Sequence, residues 1–240
     1  MSALRLAVVL APTALQLLWL RRLGATRGRA RQVARMVALG AASAAMAGAI
    51  GTLARWLLGL ALAEGTVAWQ AARCVLCVAL VEELCKLFAA RRVSERCSMD
   101  IPLCCVLAAI GFDLAENLGY ALANPITVSV LRALSSVAGH TLYGAVMGFA
   151  LGKAERARMR GGDATSWHAA AVAVPTALHG LYDLLVYTLP PAVALAFVLA
   201  HSAVGTVAAV MLARGTLAGC APSRQGVTAP EPRYGKRDGA

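Results

Sequence analysis

Seven stretches of this chain, residues 4–20, 36–62, 67–90, 101–123, 126–152, 168–189 and 192–213, are apolar over about the length that a helix rising 1.5 Å per residue needs to cross a bilayer. This pattern constrains the fold more than any other feature. The chain is 59% apolar and only 15% charged, and with aromatics at 5% the surplus is Ala, Leu and Val in long aliphatic runs. Disorder is excluded, and so is an ordinary soluble domain. The expected fold is all-α, a polytopic transmembrane helix bundle of about seven spans. The first run carries only Arg5 at its leading end and stops at Arg21 and Arg22 without a small-residue cleavage pattern, so it reads as a retained helix rather than a signal peptide.

The net charge of +11, from 23 Lys plus Arg against 12 Asp plus Glu, could suggest a nucleic-acid partner, but placement decides otherwise. Arg21, Arg22, Arg27, Arg29, Arg31 and Arg35 fall in the first loop, Arg91, Arg92 and Arg96 in the third, and Lys153, Arg156, Arg158 and Arg160 in the fifth. With Arg214, Arg224, Arg233, Lys236 and Arg237 they place 18 of the 23 cations on one side, as the positive-inside rule requires of a cytoplasmic face. The expected topology has the N-terminus outside and the C-terminus in the cytoplasm, in an integral, multi-pass protein of a bacterial cell membrane. Residues 1–217 form the membrane-embedded domain, and 218–240, rich in Pro, Gly and charge, read as a disordered cytoplasmic tail.

Gly144, Gly148 and Gly152 extend a stripe that starts at His140, a spacing that lets helices approach closely. The seven Cys are odd in number, and Cys74-x-x-Cys77 has no second pair at zinc-finger spacing, so they read as small apolar filler.

Five acids, Glu82, Glu83, Asp113, Glu116 and Asp183, lie inside these spans, each costing roughly 2.5 to 3.5 kcal/mol at mid-bilayer. They must therefore face the bundle interior, be paired or be protonated, and one shared cavity satisfies all of these. Lys86 stands one turn after Glu82 and can neutralise one carboxylate, while the second adjacent acid exceeds what pairing needs. Asp113, Glu116, Asn117 and Tyr120 share one region of the fourth span, either as catalytic groups or as an interhelical hydrogen-bond seam. His140 lies near the middle of the fifth span, and His179 and Asp183 are one turn apart in the sixth. His201 reads as structural and His168 as interfacial. Glu82 or Glu83 with Glu116, His140 and His179 could hold zinc, or a carboxylate could activate water directly. A proton-coupled transporter or a non-catalytic scaffold would use some of the same residues. No H-E-x-x-H, G-x-S-x-G or Gly-rich phosphate loop is present.

The ordered set, Glu82-Glu83 with Lys86, Phe112-x-x-x-Glu116-Asn117, a mid-helix His140 and His179-x-x-x-Asp183, resembles the PrsW family of intramembrane proteases, relatives of the CAAX-type prenyl proteases. The resemblance covers roughly residues 75–190, with Leu84 standing where an aromatic is common. It implies a membrane-embedded peptidase acting on a membrane-anchored regulatory protein such as an anti-sigma factor. Catalytic roles would fall to Glu82, Glu83, Glu116, His140 and His179, supported by Lys86, Asn117 and Asp183. The family's mechanism is treated as glutamate-type or metal-dependent, and zinc, if used, would sit on Glu116, His140 and His179.

Overall fold

A computed structural model describes residues 2–94 and 101–219, and no strand occurs among them. Helix α1 (Ala3–Arg22) starts where the Ser2 hydroxyl accepts the Arg5 amide, and ends on Arg21 and Arg22, cations favoured at the negative end of the helix dipole. Gly24 and Gly28, at φ of 82° and 71°, turn the chain into α2 (Ala30–Ala61). The third apolar stretch is not one regular helix. It starts as α3 (Val67–Ala72), capped by Thr66, widens into a π segment over Arg73–Ala79, and resumes as α4 (Leu80–Ser94). Then follow α5 (Ile101–Ala123), α6 (Ile126–Met159), α7 (Thr165–Thr188) and α8 (Pro191–Gly219). Pro125 and Pro190 stand in the short connectors before α6 and α8, where a missing amide donor costs little.

Of these helices α1, α2, α5, α6 and α7 are long and apolar enough to cross a membrane. The third stretch is divided by its π segment and carries Glu82, Glu83 and Lys86, and the apolar part Pro191–Val207 of α8 is shorter. Residues 220–240, where most of the expected tail falls, lie outside the described residues.

Successive rods run in opposite directions. A Cβ on Gly40 would strike the Ala108 carbonyl and one on Gly111 the Val37 carbonyl, so α2 and α5 cross backbone to backbone and antiparallel. On α6, a Cβ on Gly144 would lie 2.7 Å from the Ala109 Cβ, and one on Gly148 2.7 Å from the Pro102 Cα, so α5 and α6 are also antiparallel. Small residues permit this approach, and dispersion then holds helices together where lipid offers no hydrophobic drive. The helix ends that carry the basic residues gather at one end of the bundle.

Polarity runs opposite to that of a soluble protein. Leu15, Leu18, Trp56, Leu60 and Val204 are exposed, while Glu83, Lys86, Asp113, Asn117, His140 and His179 are buried. Such a surface is stable against hydrocarbon, and the buried charges are tolerable only when paired with one another.

Candidate active site

Two clusters of polar side chains meet at the middle of the bundle. In the first, Glu83 is fully buried, and its Oε1 accepts hydrogen bonds from Lys86 Nζ at 2.8 Å and from His179 Nδ1 at 3.0 Å. That carboxylate, shared between α4 and α7, fixes the His179 ring and turns its Nε2 towards Glu82 Oε2 at 3.8 Å and Asp183 Oδ2 at 3.7 Å. Lys86 also lies 3.5 Å from Glu82 Oε2, donates to His140 Nδ1 at 2.7 Å and rests over the Phe112 ring at 4.3 Å. Because the ammonium has no acceptor, His140 Nδ1 must accept, which leaves Nε2 as the protonated nitrogen.

That nitrogen joins the second cluster, on α5 and α6, by donating to Glu116 Oε2 at 3.0 Å. Arg132 reaches the same oxygen at 2.8 Å and donates to Asn117 Oδ1 at 2.7 Å and Ser136 Oγ at 3.0 Å. Its guanidinium also stacks 3.8 Å over Tyr120. Ser136 in turn donates to Asp113 Oδ1 at 2.5 Å. Behind the imidazoles, Tyr143 stacks on His179 with centroids 5.0 Å apart, and its hydroxyl meets His201 Nε2 at 3.2 Å.

A cavity of about 820 Å³ opens beside both clusters, lined by Glu82, Glu116, His140, His179, Asp183 and Arg132 among others. Arg55, Val128, Tyr187 and Pro191 line its other end, where α2 and α7 finish and α6 and α8 begin. The mouth is therefore at the end of the bundle away from the basic loops. Glu83, Lys86, Asp113 and Asn117 are not part of the lining. Glu82 lines this cavity, and its Oε2 is buried with no hydrogen bond, Lys86 Nζ lying 3.5 Å away.

The structure thus brings together Glu82, Glu83, Lys86, Glu116, Asn117, His140, His179 and Asp183. Two triads have ligand atoms within 4.8 Å of one another: Glu82 with His140 and His179, and Asp113 with Glu116 and His140. Glu116 and His179 each join His140, but they belong to different triads. The first triad suits a divalent ion, since one carboxylate and two imidazoles are zinc donors and the unpartnered Glu82 oxygen faces His179 Nε2. Glu83 behind His179 supplies the carboxylate that orients a ligating imidazole. In the second triad both acids are already engaged, Asp113 by Ser136 and Glu116 by Arg132.

Sequence reasoning missed Arg132, Ser136, Tyr143 and the π segment. A signal for Arg132 was present. Removing the 18 cations of the basic loops and tail from the 23 leaves Arg5, Arg55, Arg73, Lys86 and Arg132. Each is a cation on or near a span with no loop to explain it.

Helices that cross a membrane around a cavity lined by paired acids and imidazoles define a class, the intramembrane hydrolase-like bundle. A family model described as PrsW family intramembrane metalloprotease matches residues 28–214, and the chain belongs to that family. The match takes in α2 and most of α8, beyond the 75–190 on which the motifs lie. Among similar proteins, Protease PrsW of Geobacillus kaustophilus is 37% identical over 128 residues, 51% of this chain and 56% of that protein. Protease PrsW of Bacillus subtilis is 35% identical over 85 residues, 34% of this chain and 36% of that protein. The chain thus spans about half or less of the length of these relatives. No solved structure matches. Family and apolar helices together make this a multi-pass bacterial membrane protein.

Proposed function

We propose that the chain is an intramembrane endopeptidase that hydrolyses a peptide bond of a membrane-anchored regulatory protein, an anti-sigma factor being one such substrate. Membership of the protease family supports the reaction class. The observation that carries the mechanism is the division of labour between two adjacent acids, Glu83 locked behind the site by Lys86 and His179, and Glu82 in the lining of the cavity.

In this mechanism a water held by Glu82 Oε2 loses a proton to that carboxylate as its oxygen bonds to the substrate carbonyl carbon. His179, held by Glu83 and with Nε2 facing the cavity, donates to the oxygen on which negative charge develops, and Asp183 one turn away favours the proton there. Glu82 then returns its proton to the leaving nitrogen as the C–N bond breaks. Lys86 keeps Glu83 charged and His140 oriented, and His140 with Glu116 helps position the water. A substrate helix must unwind locally to present a carbonyl, because helical carbonyls are already hydrogen-bonded.

Zinc, which the family description implies, would be held by Glu82, His140 and His179 and would supply Lewis-acid polarisation of the water and carbonyl. To serve as a ligand, His140 would have to release Glu116 or Lys86. Glu116 stands beside this set rather than in it, because Arg132 occupies its Oε2.

We further infer seven crossings, with residues 1–217 as the membrane unit, 218–240 as its tail, the N-terminus outside and the C-terminus in the cytoplasm. The cation count on one end of the bundle supports this, and the cavity mouth then faces outwards. Co-expression with tagged single-pass membrane proteins tests the reaction. A defined product from the parent chain, absent with Glu82→Gln, is the expected result, and the same product from both chains would remove the proposal. Stoichiometric zinc lost on His140→Ala or His179→Ala is expected for the metal route, whereas undiminished cleavage in strong chelator assigns the chemistry to carboxylate and water alone.

A further inference from the structure

Of the five cations outside the basic loops, two are ion-paired and a third is bound to a backbone carbonyl. Lys86 and Arg132 are ion-paired, and Arg5 donates to the Ala121 carbonyl at 3.3 Å. Arg55 and Arg73 form no ion pair among the described residues, and both line the cavity. The fold brings them together. A Cβ on Gly51 would lie 2.8 Å from the Cys77 carbonyl, so α2 crosses the π segment there, running antiparallel to it. Arg55 is four residues past Gly51 and Arg73 four before Cys77, so both side chains start about 6 Å outward of the crossing. The Arg73 guanidinium lies 4.5 Å from the Tyr187 ring and 5.5 Å from the Trp69 ring, and its Nε is buried without a hydrogen-bond partner.

A guanidinium in an apolar span is costly and normally paired, and here the half-buried Arg73 and the exposed Arg55 stand at the mouth of one cavity with no carboxylate ion-paired to either. We infer that Arg55 and Arg73 select substrates bearing an acidic side chain on the outer side of the scissile bond. This rests on the peptidase reading. Arg73 and Glu82 are nine residues apart on one rod, at most about 13 Å at 1.5 Å per residue, the π segment rising less than a regular helix. An unwound substrate advances roughly 3.3 Å per residue, so the acidic position is about four residues from the bond that is cut. Two flat guanidiniums suit a carboxylate pair, and the aromatic rings beside Arg73 hold its plane.

The test uses the full chain carrying Glu82→Gln in phosphatidylcholine nanodiscs, with fluorescent single-span peptides whose outer flank is Asp-Asp or Asn-Asn. The Asp-Asp peptide is expected to bind about tenfold more tightly, one charge-assisted contact. Combining Arg55→Gln with Arg73→Gln should bring that ratio to about one while the thermal unfolding midpoint stays put. Arg73→Glu should prefer a Lys-Lys peptide. A ratio near one in the parent, or a ratio surviving in the double variant, overturns the inference. The same holds if the parent's preference disappears when the chain is placed in phosphatidylglycerol nanodiscs instead, because the arginines would then be headgroup anchors. Cleavage is measured separately with Glu82 intact. Arginine-dependent preference without cleavage would refute the peptidase reading alone, and cleavage without preference would refute this inference alone.

Discussion

The two halves of the polar centre use the same ingredients differently. On α5 and α6, Arg132 holds Glu116 and Asn117 while Ser136 holds Asp113, so each acid has a donor. On α4 and α7, Lys86 and His179 both bind Glu83 Oε1, the Oε2 atoms of Glu82 and Glu83 carry no hydrogen bond, and of the two acids only Glu82 lines the cavity. Each half contains a cation and an imidazole, with two acids on α5 and α6 and three, counting Asp183, on α4 and α7, yet only the second keeps a buried carboxylate oxygen without a hydrogen bond on a residue that lines the cavity. A fully satisfied network is rigid and specifies geometry, whereas an unsatisfied buried acceptor costs stability and so marks where a guest binds. In the proposed mechanism the α5–α6 half is the frame and the α4–α7 half the reacting side.

The largest expected effect breaks the reacting side without disturbing the frame. Glu82→Gln keeps shape and removes the proposed base, and cleavage of a membrane substrate should fall by about 10²- to 10⁴-fold, with the chain still folded by size-exclusion profile. Retention of most of the rate would assign the base elsewhere. Next in size is Glu83→Ala, which leaves the buried Lys86 ammonium without its nearest carboxylate at a cost of about 3 to 5 kcal/mol. Thermal unfolding in detergent should show a large loss here and a small one for Glu82→Gln. Equal losses would erase the distinction between the two acids.

Arg132 tests the frame. Arg132→Gln should lower the cleavage rate about tenfold through misplaced Glu116 and His140, and Arg132→Lys should restore part of it by keeping one charged contact. Because the arginine touches Glu116 and not the reacting carbonyl, the loss should fall on kcat more than on KM. A purely structural role would instead give equal losses for both variants, following stability.

Much of this arrangement was legible in the sequence, because hydrocarbon makes every intramembrane charge conspicuous. Glu82, Glu83, Lys86, Glu116, His140, His179 and Asp183 stood out on that ground alone, and their order on successive helices resembles the family that the chain belongs to. Periodicity could not say which of two adjacent acids faces the cavity. The π segment inserts a residue, which rotates α4 by about 100° relative to a regular helix continued from Arg73. Ser136 and Tyr143 carry no charge, so nothing in the pattern separated them from packing residues. The apolar runs located the helix ends well, with α6 extending to Met159 past the expected 152, because charged residues remain good helix formers in water beyond the hydrocarbon.

The smallest effect sharpens the frame itself. Gly144, Gly148 and Gly152 read as one stripe in the sequence, but their surroundings differ. A Cβ at Gly144 meets the Ala109 Cβ at 2.7 Å and the Cys105 carbonyl oxygen at 2.9 Å, and backbone cannot yield as a flexible side-chain end does. Gly144→Ala must therefore push α5 and α6 apart one turn from His140, at about 1 to 3 kcal/mol. At Gly152 the nearest atom is the Pro102 Cγ at 3.4 Å, an ordinary contact, and Gly152→Ala should be neutral or gain about 0.5 kcal/mol from helix propensity. Unfolding midpoints of the two variants in one detergent check the difference. If both lose stability alike, the stripe acts as a uniform packing surface and the α5–α6 frame is not held at its polar end by close backbone approach.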